Sequence, residues 1–346
     1  MADLLSPKEF LELNSNWPVI DVRSPGEFEA GHIPFAINIP LFTNEERAII
    51  GTLYVQQGKE QAVKQGLEMV GKKFSYFIAE VEKLAQDRCL RIHCWRGGMR
   101  SESLAWFFEK LGYKVYILQG GYKAYRKYIR ASFSENSRLR VIGGMTGCGK
   151  TEILQHLHEM GEQVIDLEAL ANHKGSAFGH LGQAEQPTTE QFENNLYLAW
   201  SQLDHSRSIW LEHESIRIGK IFLPDTFFAA LQKGFLLQVD LPSIIRVERL
   251  MKEYAHFETG LLKEAILHIK MEMGTQQCKW ALEALEERDF RKLTEILLAY
   301  YDKTYRHSME KRPVKPSAEI LLDSADMALN TKKILNYLNA QDGNSK

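Results

Sequence analysis

Two short stretches of the 346-residue chain gather residue types that do chemistry. The first is Arg91-Ile-His-Cys-Trp-Arg-Gly-Gly-Met-Arg-Ser101. An apolar strand ends at His93 and Cys94 follows. Trp95, Arg96, Gly97, Gly98 and Met99 then form a loop that runs into a helix opened by Arg100 and Ser101. A cysteine at a strand end, on a glycine loop leading to a helix N-terminus, sits where backbone N–H groups converge. Those dipoles, with Arg96 and Arg100 alongside, favour the nucleophilic thiolate. Cys94 is the candidate catalytic residue. A lone cysteine is more often buried and inert, and Cys89, which precedes the strand without such a loop, reads that way.

The second stretch, Gly144-Met-Thr-Gly-Cys-Gly-Lys-Thr151, fits the P-loop pattern in full. An apolar strand (139–142) precedes it and an amphipathic helix (151–160) follows. The glycines let successive N–H groups aim at phosphate oxygens, Lys150 places a cation on them, and Thr151 can ligand Mg²⁺. Gly144, Thr146, Gly147, Cys148, Gly149, Lys150 and Thr151 are the candidate phosphate binders, with Cys148 a small loop residue. The pattern names phosphate and not its owner. Other polar groups cluster downstream in sequence. Asp166 and Glu168 end an expected strand over 163–168. His173, Lys174 and Ser176 lie on a glycine-rich loop over 171–179. Glu212 and Glu214 end a strand over 208–215, at the Walker B position but with Glu where Asp is usual. Arg217 follows on a loop, and Arg246 and Arg249 share one face of a helix. Substrate contact, metal ligation and plain surface pairing all stay open for these ten residues.

Between the two stretches, residues 122–140 carry six Lys/Arg and one Glu, interleaved with Tyr122, Tyr125, Tyr128 and Phe133. Cations with aromatics suit phosphate contact and base stacking. The competing reading is a solvated amphipathic helix tying two domains.

The elements that position these residues alternate between strand and helix, which indicates parallel α/β sheets. Ser6-Pro-Lys-Glu9 has the form of a helix start. Strands are expected at 18–22, 36–39 and 115–118, the last broken by Gly120-Gly121-Tyr122. Residues 43–73 are helical in pattern but polar, and read as an insertion rather than core. Beyond Ser243 the pattern is helical, with helices at 264–273, 279–288 and 290–307, a basic stretch from Lys303 through Arg312 to Lys315, and a short strand at 318–322 returning to the sheet. We expect domains at 1–130 and 131–242, with a helical part at 243–346 completing the second.

A formal net charge of −2 neither demands nor excludes a nucleic acid, so any such site is a local patch. Four scattered cysteines form neither zinc CxxC pairs nor a disulfide framework, which indicates a reducing compartment. The first ten residues lack a signal-peptide pattern, and no apolar run approaches the roughly 20 residues of a membrane span. A cytoplasmic protein with no membrane partner is expected.

Asp-Val-Arg-Ser-Pro-Gly-Glu-Phe (21–28), Gly-His-Ile-Pro-Phe-Ala-Ile-Asn-Ile-Pro (31–40), the Cys94 loop and Gly120-Gly-Tyr122 together resemble a rhodanese domain. That resemblance implies a sulfur-carrying loop cysteine, with Asp21 and Arg23 a structural pair. A rhodanese-like parallel-sheet domain fused to a P-loop NTPase-like α/β domain with a helical C-terminal part resembles the tRNA 2-selenouridine synthase family. Leu53–Glu60, Gly120–Arg126, His173–Gly179 and Trp210–Ser215 add to the likeness, which spans about 20–250. Lys174 stands where Arg is expected, which keeps the charge and loses the planar fork.

The family resemblance implies a transferase acting on wobble 2-thiouridine of the tRNAs for Lys, Glu and Gln. The sulfur is geranylated from geranyl diphosphate, and the geranylthio group is then replaced by selenium from selenophosphate. It implies no tightly bound cofactor, with Mg²⁺ a candidate, and a selenophosphate-supplying enzyme as a candidate partner. Gly144–Thr151 would cradle diphosphate or selenophosphate. Cys94 would act in the selenium step, carrying selenium as a perselenide or attacking a phosphoselenated intermediate. Lys123, Arg126, Lys127 and Arg130 would contact the tRNA backbone. Two alternatives are a persulfide sulfurtransferase that thiolates tRNA with ATP, and a P-loop small-molecule kinase with an accessory rhodanese-like module.

Overall fold

A computed structural model of the chain describes residues 2–133, 138–254, 256–311 and 315–343. The 134–137 part of the expected linker and Arg312 of the basic stretch lie outside them. The chain divides into two compact units, Met1–Ser132 with Glu193–Leu198, and Phe133–Phe192 with Ala199–Lys346.

The first unit runs β1 (Asp3–Leu5), α1 (Pro7–Glu12), β2 (Val19–Asp21), α2 (Pro25–Glu29), β3 (Ile37–Asn38), α3 (Asn44–Gln57), α4 (Lys59–Gly71), α5 (Phe74–Leu84), β4 (Cys89–His93), α6 (Met99–Lys110), β5 (Lys114–Leu118) and α7 (Gly121–Ser132). Ser6, Ser24 and Thr43 each start a helix with a capping box, and the first two place Pro just inside it. The five strands are ordered β1-β5-β4-β2-β3, every pair parallel. Both faces of the sheet are covered, as a parallel sheet requires. Phe77, Val81, Leu104 and Phe108 pack in one core cluster, and Phe10, Tyr122, Tyr125 and Ile129 in the other. The polar stretch 43–73 divides at Gly58, whose φ of 87° suits glycine. The expectation that it is not core holds for α3, which buries no residue, and fails for α4, whose Val70 joins the first cluster.

The second unit contains β6 (Arg138–Gly144), α8 (Lys150–Glu159), β7 (Gln163–Val164), α9 (Leu167–Ala171), α10 (Thr189–Ser201, of which 193–198 cluster with the first unit), β8 (Ser208–Glu212), β9 (Arg217–Ile218), β10 (Ile221–Phe222), α11 (Asp225–Lys233) and β11 (Phe235–Asp240). It continues with α12 (Ser243–Tyr254), α13 (Thr259–His268), α14 (Lys270–Met273), α15 (Thr275–Glu286), α16 (Phe290–Glu310), β12 (Ala318–Leu321) and α17 (Met327–Gly343). Its sheet is again five-stranded and parallel, ordered β12-β11-β6-β8-β7. The expected return strand is present, with Leu237 opposite Ala318. α17 adds Ile334 and Leu338 to the core that holds Ile153 and Leu157 of α8. Two expectations are corrected. The 163–168 strand stops at Val164, because Asp166 caps α9 by accepting the Ala169 N–H at 2.8 Å. The Arg217 loop is a small antiparallel hairpin, β9 with β10. Among the described residues, no helix is long and apolar enough to cross a membrane.

Candidate functional site

In the first unit, Cys94 leaves the end of β4, the middle strand of five, where ligands of parallel sheets gather. The side chain is 3% exposed. Its Sγ lies 3.3 Å from Ser101 Oγ and 3.9 Å from the Gly98 carbonyl. The Ser101 hydroxyl also donates to Gly98 O at 3.0 Å, so a thiol at Cys94 can donate to Ser101, and a thiolate can draw the hydroxyl round to itself. Ser101 is a site residue that the sequence did not single out. Its signal was its place in the first turn of the helix after the loop.

The loop is fastened to the start of α7 through backbone. The N–H groups of Tyr122 and Lys123 donate to the carbonyls of Cys94 and Trp95 at 2.9 and 3.0 Å. A Cβ on Gly121 would come within 2.4 Å of Cys94 O and of Gly97 N, which explains the glycine directly before Tyr122. Beneath the loop, Arg23 donates to Asp21 and to Gly31 O at 2.7 Å, with its guanidinium carbon 3.8 Å from the Tyr122 ring centre. Asp21 and Arg23 are wholly buried and brace the fold. Arg100 does not serve the sulfur, because it donates to Glu27 at 2.9 Å while Glu27 caps α2. Arg96 and Met99 are exposed and Trp95 is half-buried.

In the second unit, Gly144 ends β6, the middle strand of the other sheet, and Lys150 starts α8. Gly147 and Gly149 have φ of 82° and 75°, conformations that turn successive N–H groups inward. Lys150 Nζ donates to Gly144 O at 3.2 Å. Cys148 is buried in the core, and burial pushes its thiol up, so it packs rather than reacts. For Arg246 and Arg249 of α12 the sequence leaves phosphate contact and surface pairing open. They grip the loop instead. Arg246 makes a two-bond pair with Asp302 at 2.8 and 2.7 Å and donates to Thr146 O at 3.1 Å. Arg249 donates to Gly147 O at 3.2 Å and to Glu152 at 2.6 Å.

Glu168, Glu212 and Glu214 each bring a carboxylate oxygen to within 4.8 Å of the others. The Thr151 hydroxyl donates to Glu168 at 3.3 Å. Burial, then mutual repulsion, pushes Glu168 up to about 9 and Glu214 up to about 8. Burial also raises Glu212, whose Oε1 is buried with no partner. Burial works against the Lys150 ammonium, but the three carboxylates outweigh it and raise its pKa. One ammonium does not satisfy three acids, and an all-oxygen set with an orphaned oxygen fits a hard divalent cation such as Mg²⁺.

The 173–179 loop closes on this cluster. Gly175 has φ of 67°, and a Cβ there would meet Glu168 Oε1 at 2.8 Å and Glu214 Oε2 at 3.2 Å. His173 is buried, accepts the Gly175 N–H at 3.2 Å, and is held below its usual pKa by burial, so it props the loop as a neutral ring. Lys174 pairs with Glu253, and Ser176 Oγ accepts the Phe178 N–H. Arg217 is exposed and bonded within its hairpin to Gly219 O at 2.7 Å. Asp166 is a helix cap outside the carboxylate cluster.

The linker residues form α7. Tyr122 and Tyr125 are buried, so they are core rather than stacking platforms. Arg126 is tied to Glu193 and, at 2.6 Å, to Asn194. Lys123, Lys127 and Arg130 are exposed.

Comparison with known proteins agrees with the two-unit architecture. Residues 6–128 match the rhodanese-like domain family and residues 137–288 match the tRNA 2-selenouridine synthase AAA domain. The chain is 38% identical over 245 residues to the tRNA 2-selenouridine synthase of Nitrosomonas europaea, covering 68% of this chain and 63% of that protein. It is 31% identical to the enzyme of that name from Psychromonas ingrahamii, covering 85% of this chain and 88% of the relative. It is 32% identical to that from Shewanella frigidimarina, covering 90% and 94%. A rhodanese-like unit followed by a P-loop unit, matched along nearly the whole of these last two relatives, places the chain in the tRNA 2-selenouridine synthase family.

Proposed function

We propose that the protein converts wobble 2-thiouridine in tRNA to 2-selenouridine in two transfers. The observation that carries this reading is one chain holding both a cradled cysteine and a phosphate loop, in a family whose relatives bear that name. In the first transfer the thiocarbonyl sulfur attacks C1 of geranyl diphosphate. A C–S bond forms, the C–O bond breaks, and diphosphate leaves into the nest of the 144–151 loop, met by Lys150. Alkylation turns a poor leaving group into a better one. In the second, the selenium of selenophosphate attacks C2 and geranylthiolate leaves. The remaining P–Se bond then breaks, its electron pair staying on selenium, as the Cys94 thiolate takes the phosphoryl group; water later frees phosphate. A perselenide on Cys94 is not favoured. An S–Se bond between two fully reduced atoms requires a two-electron acceptor, and this reaction contains none.

Thr151 and the three glutamates would hold Mg²⁺, which supplies charge neutralisation for a departing diphosphate. The exposed cations of α7 would meet the tRNA backbone.

The test uses purified protein, an anticodon stem-loop bearing 2-thiouridine, and mass spectrometry of the nucleosides. Cys94→Ser should geranylate at the normal rate and make no 2-selenouridine. Lys150→Ala should lose geranylation by about 10²- to 10³-fold. If both variants lose only sulfur transfer from thiosulfate, the persulfide sulfurtransferase is right. Phosphotransfer from ATP that ignores Cys94 would leave the kinase.

A further inference from the structure

A cavity of about 40 Å³ lies in the second unit, walled by α12, α13, α16, the 173–179 loop and Thr146 of the phosphate loop. Leu250, Leu262, Leu293, Leu298 and Phe178 are buried around it. Three of its four hydroxyls are already engaged. Thr294 donates to Phe290 O at 2.7 Å, Tyr301 accepts the Ala177 N–H at 3.2 Å, and Ser176 accepts the Phe178 N–H at 3.2 Å. The wall therefore presents hydrocarbon. A ribose or a base placed here would strand its polar groups, each at a cost of a lost hydrogen bond. A hydrocarbon chain would gain roughly fourfold in affinity for each methylene removed from water.

We propose that this cavity takes the chain of a short prenyl diphosphate whose diphosphate rests on Gly144–Thr151. The proposal rests on the prenyl-transfer reading above and adds where the chain lies. Two observations select this occupant. Thr146 belongs at once to the cavity wall and to the phosphate loop, so a ligand with a phosphate head and an apolar tail spans both without a polar gap. The cavity holds roughly three water-sized volumes, enough for the leading part of one chain and not for a second lipid. The rest of the chain needs side chains to yield, and Met251 and Leu297 are half-buried aliphatic side chains of the wall. Arg246 ties the two regions mechanically, since it holds Thr146 O from α12 and Asp302 on α16.

The test measures binding of inorganic diphosphate and of dimethylallyl, geranyl and farnesyl diphosphates to the full chain with Mg²⁺. Leu297→Trp should weaken geranyl diphosphate about tenfold relative to dimethylallyl diphosphate, with inorganic diphosphate unchanged. Leu297→Ala should move preference towards farnesyl by a similar factor. Thr294→Phe serves as a second filling variant, with circular dichroism to confirm that each folds. An unchanged chain-length order in folded variants overturns the cavity assignment while the phosphate loop stands. A wild-type protein that binds geranyl diphosphate no better than inorganic diphosphate does the same. Wild-type protein that binds inorganic diphosphate but transfers no prenyl group from any donor overturns the prenyl-transfer reading, and the cavity proposal with it.

Discussion

The Cys94 loop and the Lys150 loop are built alike and held differently. Each leaves the third strand of a five-stranded parallel sheet, turns on glycines and enters a helix. The first is fixed by main chain against main chain, through Gly97, Gly121 and the N–H groups of Tyr122 and Lys123. Its charges are paired, the buried Arg23 with Asp21 and the half-buried Arg100 with Glu27. The second is gripped by side chains, Arg246 and Arg249, and faces three carboxylates with raised pKa values. The first is a rigid seat for one nucleophile. The second carries an electrostatic imbalance that a charged ligand relieves.

The difference is open to a direct break. Gly121→Ala puts a Cβ 2.4 Å from two backbone atoms at φ of 61°, and neither can move without the loop. We expect the first unit to lose about 4 kcal/mol. Gly149→Ala also has positive φ, 75°, but its Cβ meets the Met327 Sδ at 2.5 Å, the end of a flexible side chain. About 1–2 kcal/mol should be lost from the second unit. Hydrogen exchange with mass spectrometry reads each unit separately, and equal losses would remove the contrast.

Both loops were legible in the sequence because their chemistry is local: cysteine or lysine type, glycine spacing and a strand before a helix fall within a dozen residues. What the loops lean on was not. Asp302 lies 56 residues from Arg246, and the helix that carries it bore no motif. The acids Glu168, Glu212 and Glu214 were each visible, but their meeting depends on strand register, with Glu212 opposite Ile142. The strand expected to end at Glu168 failed because an Asp cap competes with extension. On α7, cations interleaved with Tyr122, Tyr125 and Tyr128 suited either base stacking or an amphipathic helix, and only packing shows that Tyr122 and Tyr125 meet core.

The imbalance at the second loop predicts a pH response. Glu168 and Glu214 hold protons in the folded protein up to about 9 and 8, against 4.5 for an ordinary glutamate. Between those limits the folded state binds more protons than the unfolded state, so the second unit loses stability progressively from above about 4.5 until the folded groups ionise at 8–9. A divalent cation displaces those protons. Mg²⁺ at a hundredfold over its dissociation constant adds about 2.7 kcal/mol, or roughly 5–11 °C in melting temperature, and should bind more tightly at pH 9 than at pH 6. The first unit should show neither effect. Thermal melts with and without Mg²⁺ across this range decide it, and a cation response that is flat with pH would reject the cluster as a cation site.

The smallest effect sharpens the comparison at the surface. Of the four cations considered for the tRNA backbone, Arg126 is held by Glu193 and Asn194, Arg130 is exposed but pairs with Glu193 at 3.6 Å, and Lys123 and Lys127 are exposed. Lys123 and Lys127 stand one turn apart on α7, and Lys123 donates its own N–H to the Cys94 loop, so charge on this face lies beside the cysteine seat. If they neutralise phosphates, Lys123→Glu with Lys127→Glu should weaken tRNA binding about tenfold at low salt and reduce the slope of log K against log salt by about 2. Arg126→Gln should act otherwise, lowering the stability of the first unit while leaving the salt slope as it was. Filter binding over a salt series, paired with thermal melts, separates the outcomes. A slope unchanged by the double substitution would make α7 a structural helix with a solvated face.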